Sequence, residues 1–202
     1  MSVMIVEGLR AQAAEFITYV TTTAVDPLLD GDLPFLGKVF EQTGTAALLT
    51  GFRGALNTAL PAMAAMRAQA PGPDGLRGRI ATVASIAAFT PAPGAPSYAA
   101  SKAAVDSWTV ATAATARADG IAMTSICPGY VRTPMTASNR FPMPGLMDAD
   151  RAAGIILRGV AAGRRRVAFP WWMAALARVA GALPPGLSGA LLSLAPGKAL
   201  AE

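Results

Sequence analysis

From residue 79 to residue 169 the chain alternates short runs of β-branched and apolar residues with longer Ala-rich stretches. Arg79–Ala84 (RIATVA) and Ile121–Cys127 (IAMTSIC) predict buried strands, and Arg166–Phe169 predicts a third, shorter one. Between the first two, Ser97–Gly120 predicts a long helix, with Ser97 as its N-cap and Gly120 as its stop. Asp148–Gly163 predicts another, with acidic residues in its first turn and Arg164–Arg166 beyond its end, as the helix dipole favours. Strand, helix, strand, helix, strand implies an α/β fold with a parallel sheet and right-handed crossovers.

The pattern is less regular elsewhere. Residues 5–15 predict a short helix, Ile17–Val25 (ITYVTTTAV) a strand, and Asp26–Leu36 a loop. Residues 39–68 are Ala- and Leu-rich and predict helix, with a break near Gly51–Gly54. Ala70–Arg79 and Phe89–Pro96 predict loops. The longest apolar tract, Val179–Leu194, is interrupted by Pro184, Pro185 and Gly186 and is too short to span a bilayer. With no internal repeat, one domain over residues 1–202 is expected.

Composition narrows the chemistry. Hydrophobic residues make up 53 % and charged residues 14 %, which excludes a disordered chain. The net charge of +5 would suit nucleic acid, an anionic membrane or a phosphate-bearing cofactor. Apart from Arg164–Arg166 the Arg residues are scattered, without zinc-finger spacing or stacking aromatics, so no nucleic-acid partner is expected. There is no histidine, which removes Ser-His-Asp hydrolysis and His-based metal sites; no metal is expected, and proton transfer falls to Tyr, Lys, Asp or Glu. Cys127 is the single cysteine, and MSVMIVEGLR lacks the features of a signal peptide, so a reducing, cytoplasmic setting is expected.

Three features carry candidate chemistry. Tyr98 and Lys102 stand four residues apart near the start of the long helix, on one face. An ammonium beside a phenol favours the phenolate and fits the phenol for proton transfer near neutral pH; an i,i+4 surface pair has the same spacing. Ser85 stands thirteen residues before Tyr98, at the C-terminal end of a strand, the edge where open α/β sheets place ligands. It could polarise a substrate oxygen, or simply start a turn. Pro128-Gly129-Tyr-Val131-Arg-Thr133 follows the next strand; Gly permits close backbone approach to a ligand, as it does in an ordinary strand-to-helix turn.

In order and spacing, Ser85, Tyr98, Lys102, Pro128-Gly129 and Thr133 resemble the catalytic and nicotinamide-side motifs of the short-chain dehydrogenase/reductase family. The text around them, RGRIATVASIAAF, P-SYAASKAAV and GIAMTSICPGYVRTPMT, fits as well, and FPMPGLMDADRAA is similar to the segment that follows in bacterial members. The resemblance runs from about Gly54 to about Pro170. It implies a Rossmann-like parallel sheet with flanking helices and hydride transfer between NADP or NAD and a small carbonyl or alcohol substrate. Tyr98 would be the general acid or base. Lys102 would hold the nicotinamide ribose and lower the Tyr98 pKa, and Ser85 would orient the substrate oxygen. Pro128, Gly129, Val131 and Thr133 would face the nicotinamide ring and its carboxamide. The family also implies a homodimer or homotetramer, here through the Ala-rich helices at about 55–68 and 98–118.

The resemblance fails in the first part of the chain. The family's T-G-x-x-x-G-x-G run is absent; Thr43-Gly44 imitates its start, but Leu48 stands where the second Gly belongs. The N-N-A-G segment is absent too, and the position of the family's catalytic Asn falls on Gly51 or, in a shifted register, on Leu48. The expectation is therefore a domain truncated or degenerate on its N-terminal side: an atypical segment (1–40), a catalytic half (41–170) and a C-terminal helical flap over the substrate site (171–202). Cofactor binding should be impaired, and the rival reading is a non-catalytic remnant acting by dimerisation or association. Trp171, Trp172 and the apolar helix after them also raise a membrane surface as a partner, less favoured than the flap.

Overall fold

The computed structural model describes residues 3–5, 45–92, 95–137, 139 and 141–193. A strand β1 (Val3–Ile5) is followed in the described chain by a helix α1 (Thr45–Ala68), then β2 (Gly78–Val83), a 3-10 turn (Ile86–Phe89) and α2 (Pro96–Ala116). Next come β3 (Ile121–Pro128), a single helical turn (Pro134–Ala137), α3 (Ala149–Ala161) and β4 (Arg166–Phe169), and two helices close the described part, α4 (Trp171–Ala182) and α5 (Pro185–Ser193). The sheet order is β1-β2-β3-β4. Strands β2, β3 and β4 are parallel, with Ile80 opposite Met123 and Ile126 opposite Val167.

Strict alternation along the strands sorts the core into two layers. Ile80, Ile121 and Met123 point to one face, where Ala59, Met63 and Met66 of α1 and Ala113 and Ala116 of α2 cover them. Ala81, Ile126, Val167 and Phe169 point to the other face, under Ala152 and Val160 of α3. Both faces are covered, so β3 is buried from Ile121 to Cys127, its Thr124 and Ser125 included. This is the Rossmann-like arrangement expected.

Several local expectations need correction. Ser97 does not cap α2. Ala95 holds the cap position without a side-chain hydrogen bond, and Pro96 opens the helix, its fixed φ being suited to the first turn. Gly120 does end the segment, at φ +75°, four residues after the helix proper. Helix α1 runs unbroken through Gly51–Gly54, because Ala55 and Ala59 bury completely and tie that stretch to the core. Ile5 lies in a strand rather than a helix. The remainder of the predicted 5–15 helix, the Ile17–Val25 strand and Thr43-Gly44 lie outside the described residues. The outer edge of β2 is occupied by β1, antiparallel, with Val3 opposite Thr82 and Ile5 opposite Ile80. The C-terminal tract forms two helices that break at Leu183-Pro184, and no described helix is long and apolar enough to cross a membrane.

Helix α4 is held against the 3-10 turn by a bare backbone contact. A Cβ on Gly181 would collide with the Phe89 carbonyl oxygen and approach the Thr90 Cα to 3.3 Å. These are backbone atoms and cannot rotate away. Gly181→Ala should therefore destabilise the fold by about 1–3 kcal/mol, while Gly186→Ala, with nothing within 4 Å, should be neutral or slightly stabilising. Urea midpoints of the two variants test this; an unchanged midpoint for Gly181→Ala would refute the docking geometry.

Candidate active site

The candidate residues gather at the carboxyl ends of the parallel strands. Ser85 follows β2 directly and caps the 3-10 turn, its Oγ accepting from the Ala87 N–H at 3.1 Å. That bond uses a lone pair and leaves the hydroxyl proton for another acceptor. Tyr98 and Lys102 occupy the first two turns of α2, and the Lys102 Nζ lies 5.7 Å from the Tyr98 ring centroid. The ammonium donates to the Val83 carbonyl at 2.9 Å, which ties α2 to the end of β2 two residues before Ser85. Burial depresses the Lys102 pKa below its ordinary value, with a small opposing effect from Cys127. Tyr98 remains 43 % exposed, so its phenol is open to a ligand.

Pro128 ends β3. The Gly129 N–H donates to the Phe169 carbonyl at 2.7 Å, joining the turn to β4. A Cβ at Gly129 would meet Met173 Sδ at 2.9 Å and Pro170 Cδ at 3.1 Å, so here the glycine serves close packing by the start of α4. Val131 is bridged to Met147. The Thr133 hydroxyl lies 3.3 Å from that of Thr136, whose own hydroxyl donates to the Val131 carbonyl at 2.7 Å. Thr136 thus fixes the turn on which Val131 and Thr133 sit.

Two residues that the sequence did not single out belong to this region. Tyr130 packs edge-on against Phe141, with ring centroids 6.0 Å apart. Burial raises its pKa, and the Tyr98 phenol raises it further. Asp106, one turn beyond Lys102, is buried. It takes a two-pronged contact from Arg166, Nε at 2.8 Å and a terminal nitrogen at 2.7 Å, and accepts from the Ser125 hydroxyl at 2.7 Å. The Cys127 thiol points at the same carboxylate, 3.4 Å away.

Burial, with Asp106 alongside, pushes the Cys127 thiol up to about 12. The thiolate is the reactive form, so the native protein should not react with a disulfide reagent near neutral pH and should do so at once in denaturant. Rapid labelling of the native chain would contradict this placement.

A hollow of about 430 Å³ borders α2 at Pro96, Ala99, Ala100 and Ala103 and the 3-10 turn at Ala87 to Phe89. Those helix positions form one stripe, and Tyr98 and Lys102 stand on a different side of the helix. The hollow is therefore not the space in front of the Tyr98 phenol. Among the described residues no cluster of His, Cys, Asp or Glu could hold a metal ion.

Residues 40–143, just over half the chain, match the short chain dehydrogenase family. The chain belongs to that family. An uncharacterized oxidoreductase of Myxococcus xanthus is 34 % identical over 136 residues, 67 % of this chain and 50 % of that protein. Among solved structures, the 3-hydroxyacyl-CoA dehydrogenase type-2 of Mycobacterium avium superposes with a TM-score of 0.54 at 28 % identity, over 62 % of this chain and 54 % of that one. A short chain dehydrogenase of Burkholderia cenocepacia, solved with NADP, superposes with a TM-score of 0.59 at 24 % identity, over 73 % of this chain and 58 % of that one, a likeness of fold. The chain spans about half the length of these short-chain dehydrogenase relatives.

Proposed function

We propose that the chain carries the catalytic half of an NAD(P)-dependent oxidoreductase that exchanges a hydride between nicotinamide and a small carbonyl or alcohol. The observation that carries this reading is the Lys102 ammonium, fixed to the Val83 carbonyl and set against the Tyr98 ring at the sheet's ligand edge. In the reductive direction Tyr98 donates its phenolic proton to the substrate oxygen; in the oxidative direction it takes that proton back. Lys102 stands beside the phenol, its Nζ 5.7 Å from the ring centroid. With one N–H on Val83, it has two more for the hydroxyls of a ribose. Ser85 donates to the substrate oxygen while the Ala87 N–H holds its Oγ in place.

These donors fit the nicotinamide–ribose half of NAD or NADP, which would supply the hydride. Pro128, Gly129, Val131 and Thr133 form the wall beside it, with Tyr130 at the margin shared with Tyr98. The sequence has no T-G-x-x-x-G-x-G turn, the usual source of backbone N–H groups for a pyrophosphate. Affinity should be low for that reason, and turnover with it, because binding energy from the remote adenine half also helps orient the reacting centre. In this reading residues 171–193 include a flap whose inner face, Met173, Ala174 and Ala177, packs on Ile86 beside the site. The outer sides of α1 and α2 would pair two copies in a reducing, cytoplasmic setting.

The test is calorimetric titration with NADH and NADPH, alongside reduction of a panel of carbonyl substrates. Weak dinucleotide binding with slow turnover supports the proposal. Absence of both at millimolar cofactor would leave a non-catalytic remnant. Sedimentation at micromolar concentration tests the pairing, which a monomer would exclude.

A further inference from the structure

The exposed surface of the C-terminal helices is almost entirely apolar. On α4, Trp171, Leu176 and Val179 are more than half exposed, and Trp172 is partly exposed. Ala175 and Ala182 are exposed as well. On α5, Leu187 and Leu191 are at least half exposed, and Pro184, Pro185, Gly186, Gly189 and Ala190 also face outward. Trp171, at 79 % exposure, is the extreme case. From Trp171 to Leu192 the single charged residue is Arg178, which is itself exposed and whose guanidinium stacks 4.1 Å over the Phe89 ring. So many large apolar side chains exposed along two successive helices are uncommon on a water-facing surface.

The inner face explains why these helices fold here but not why the outer face is apolar. Ala174, Ala177 and Ala180 bury, and Gly181 abuts the Phe89 backbone. The outward positions Trp172, Leu176 and Val179 follow at i, i+4 and i+7, one continuous stripe.

Charge identifies the occupant. From Arg151 to Ala201 the sequence has no Asp or Glu and seven basic residues. Arg166 is committed to Asp106 and Arg178 to Phe89. Arg151 and Trp172 line a common hollow with Asp148, and the Asp148 carboxylate is itself paired with Arg132 at 2.9 Å. A cationic side chain is therefore placed beside the aromatic end of the patch. Exposed tryptophans at one end of two helices whose single charged residue is Arg178, with Arg151 next to Trp172 and the nearby Asp148 already paired with Arg132, suit the headgroup level of an anionic bilayer.

We propose that the outer face of α4 and α5 is a docking surface for an anionic lipid bilayer, on which the hairpin lies without crossing. The proposal does not depend on the oxidoreductase reading. It would hold the sheet's ligand edge next to the membrane, since α4 starts immediately after β4.

The experiment uses the full chain and two kinds of vesicle, phosphatidylcholine alone and phosphatidylcholine with about 30 % phosphatidylglycerol, in flotation and tryptophan-fluorescence assays. Partitioning should be on the order of tenfold stronger on the anionic vesicles and should weaken as salt is raised. Brominated lipid should quench Trp171 and Trp172, whereas Trp108, packed against the core, should not respond. Trp171→Ser with Leu176→Ser and Leu187→Ser should lose about tenfold or more in partitioning. All three side chains are exposed, so folding should be kept, which circular dichroism would verify. Failure to bind anionic vesicles, equal binding to both kinds, or a triple variant that binds unchanged would each overturn the proposal. So would a lipid-free dimer that the same three substitutions dissolve, which would assign the face to a second copy.

Discussion

Tyr98→Phe is expected to lower turnover by about 10²- to 10⁴-fold while leaving dinucleotide affinity and thermal stability close to those of the parent chain. The substitution removes only the hydroxyl. The ring stays over the end of α2, half in solvent, and the contact with the Lys102 ammonium is to the ring. Lys102 keeps its bond to the Val83 carbonyl, so the donors proposed for the ribose remain where they were. What is lost is the proposed proton donor, and with no histidine in the chain no neighbouring imidazole can take over. Lys102→Met provides the contrast. It should lower both affinity and turnover, because one side chain serves the cofactor and the phenol. Steady-state kinetics paired with dinucleotide titration separates the two. If Tyr98→Phe left the slow turnover intact, the phenol would not be the proton donor, and the reaction, if any, would lie elsewhere.

The parts of this arrangement that could be read from the sequence are those with local causes. Arg79–Ala84, Ile121–Cys127 and Arg166–Phe169 are short apolar runs between turn signals, and each lies within a residue or two of a parallel strand. Tyr98 and Lys102 could be paired because helical spacing alone brings i and i+4 together. Ser97 misled, because a serine at a helix start usually caps it. Pro96 decides the start instead, by fixing its own φ one residue earlier. The expected break at Gly51–Gly54 was a propensity argument, and the burial of Ala55 and Ala59 outweighs it.

Long-range pairs were illegible for another reason. Asp106 lies 60 residues from Arg166, and nothing local tells either that the other exists. Within Arg164–Arg166 the sequence suggests a single cationic cluster at a helix end. The structure divides it: Arg166 enters β4 and turns to the α2 side of the sheet, on the same side as Ala168 and opposite to Val167. Tyr130 was passed over because it sits in a turn read for its glycine and proline. Its relation to Tyr98 appears only when α2 and the end of β3 are in place.

That ion pair carries the second large expected effect. Asp106→Ala should destabilise the fold by about 3 kcal/mol, read as a lower urea midpoint with little change in slope. The carboxylate is 6 % exposed and satisfies three groups at once: the Arg166 guanidinium, the Ser125 hydroxyl and the Cys127 thiol. Removing it leaves a guanidinium without its counter-charge, and the cost of that exceeds the net worth of the pair. The Arg166 side chain is one-third exposed, so water offsets part of the loss, which places the effect at the low end of buried pairs. An arginine side chain does not give up its proton at working pH, so the stranded guanidinium cannot escape by becoming neutral. Asp106→Asn should cost less, because the amide oxygen can still accept from Ser125. Arg166→Met together with Asp106→Leu should recover much of the loss, since two apolar groups of similar volume remove the desolvation penalty. The pair also fastens α2 to β3 and β4 one turn beyond Lys102. Asp106→Ala should therefore loosen the helix that positions Tyr98, lowering turnover more than the dinucleotide affinity. An unchanged midpoint in Asp106→Ala would mean that the carboxylate is solvated in the folded chain and that the pair does not hold the sheet to the helix.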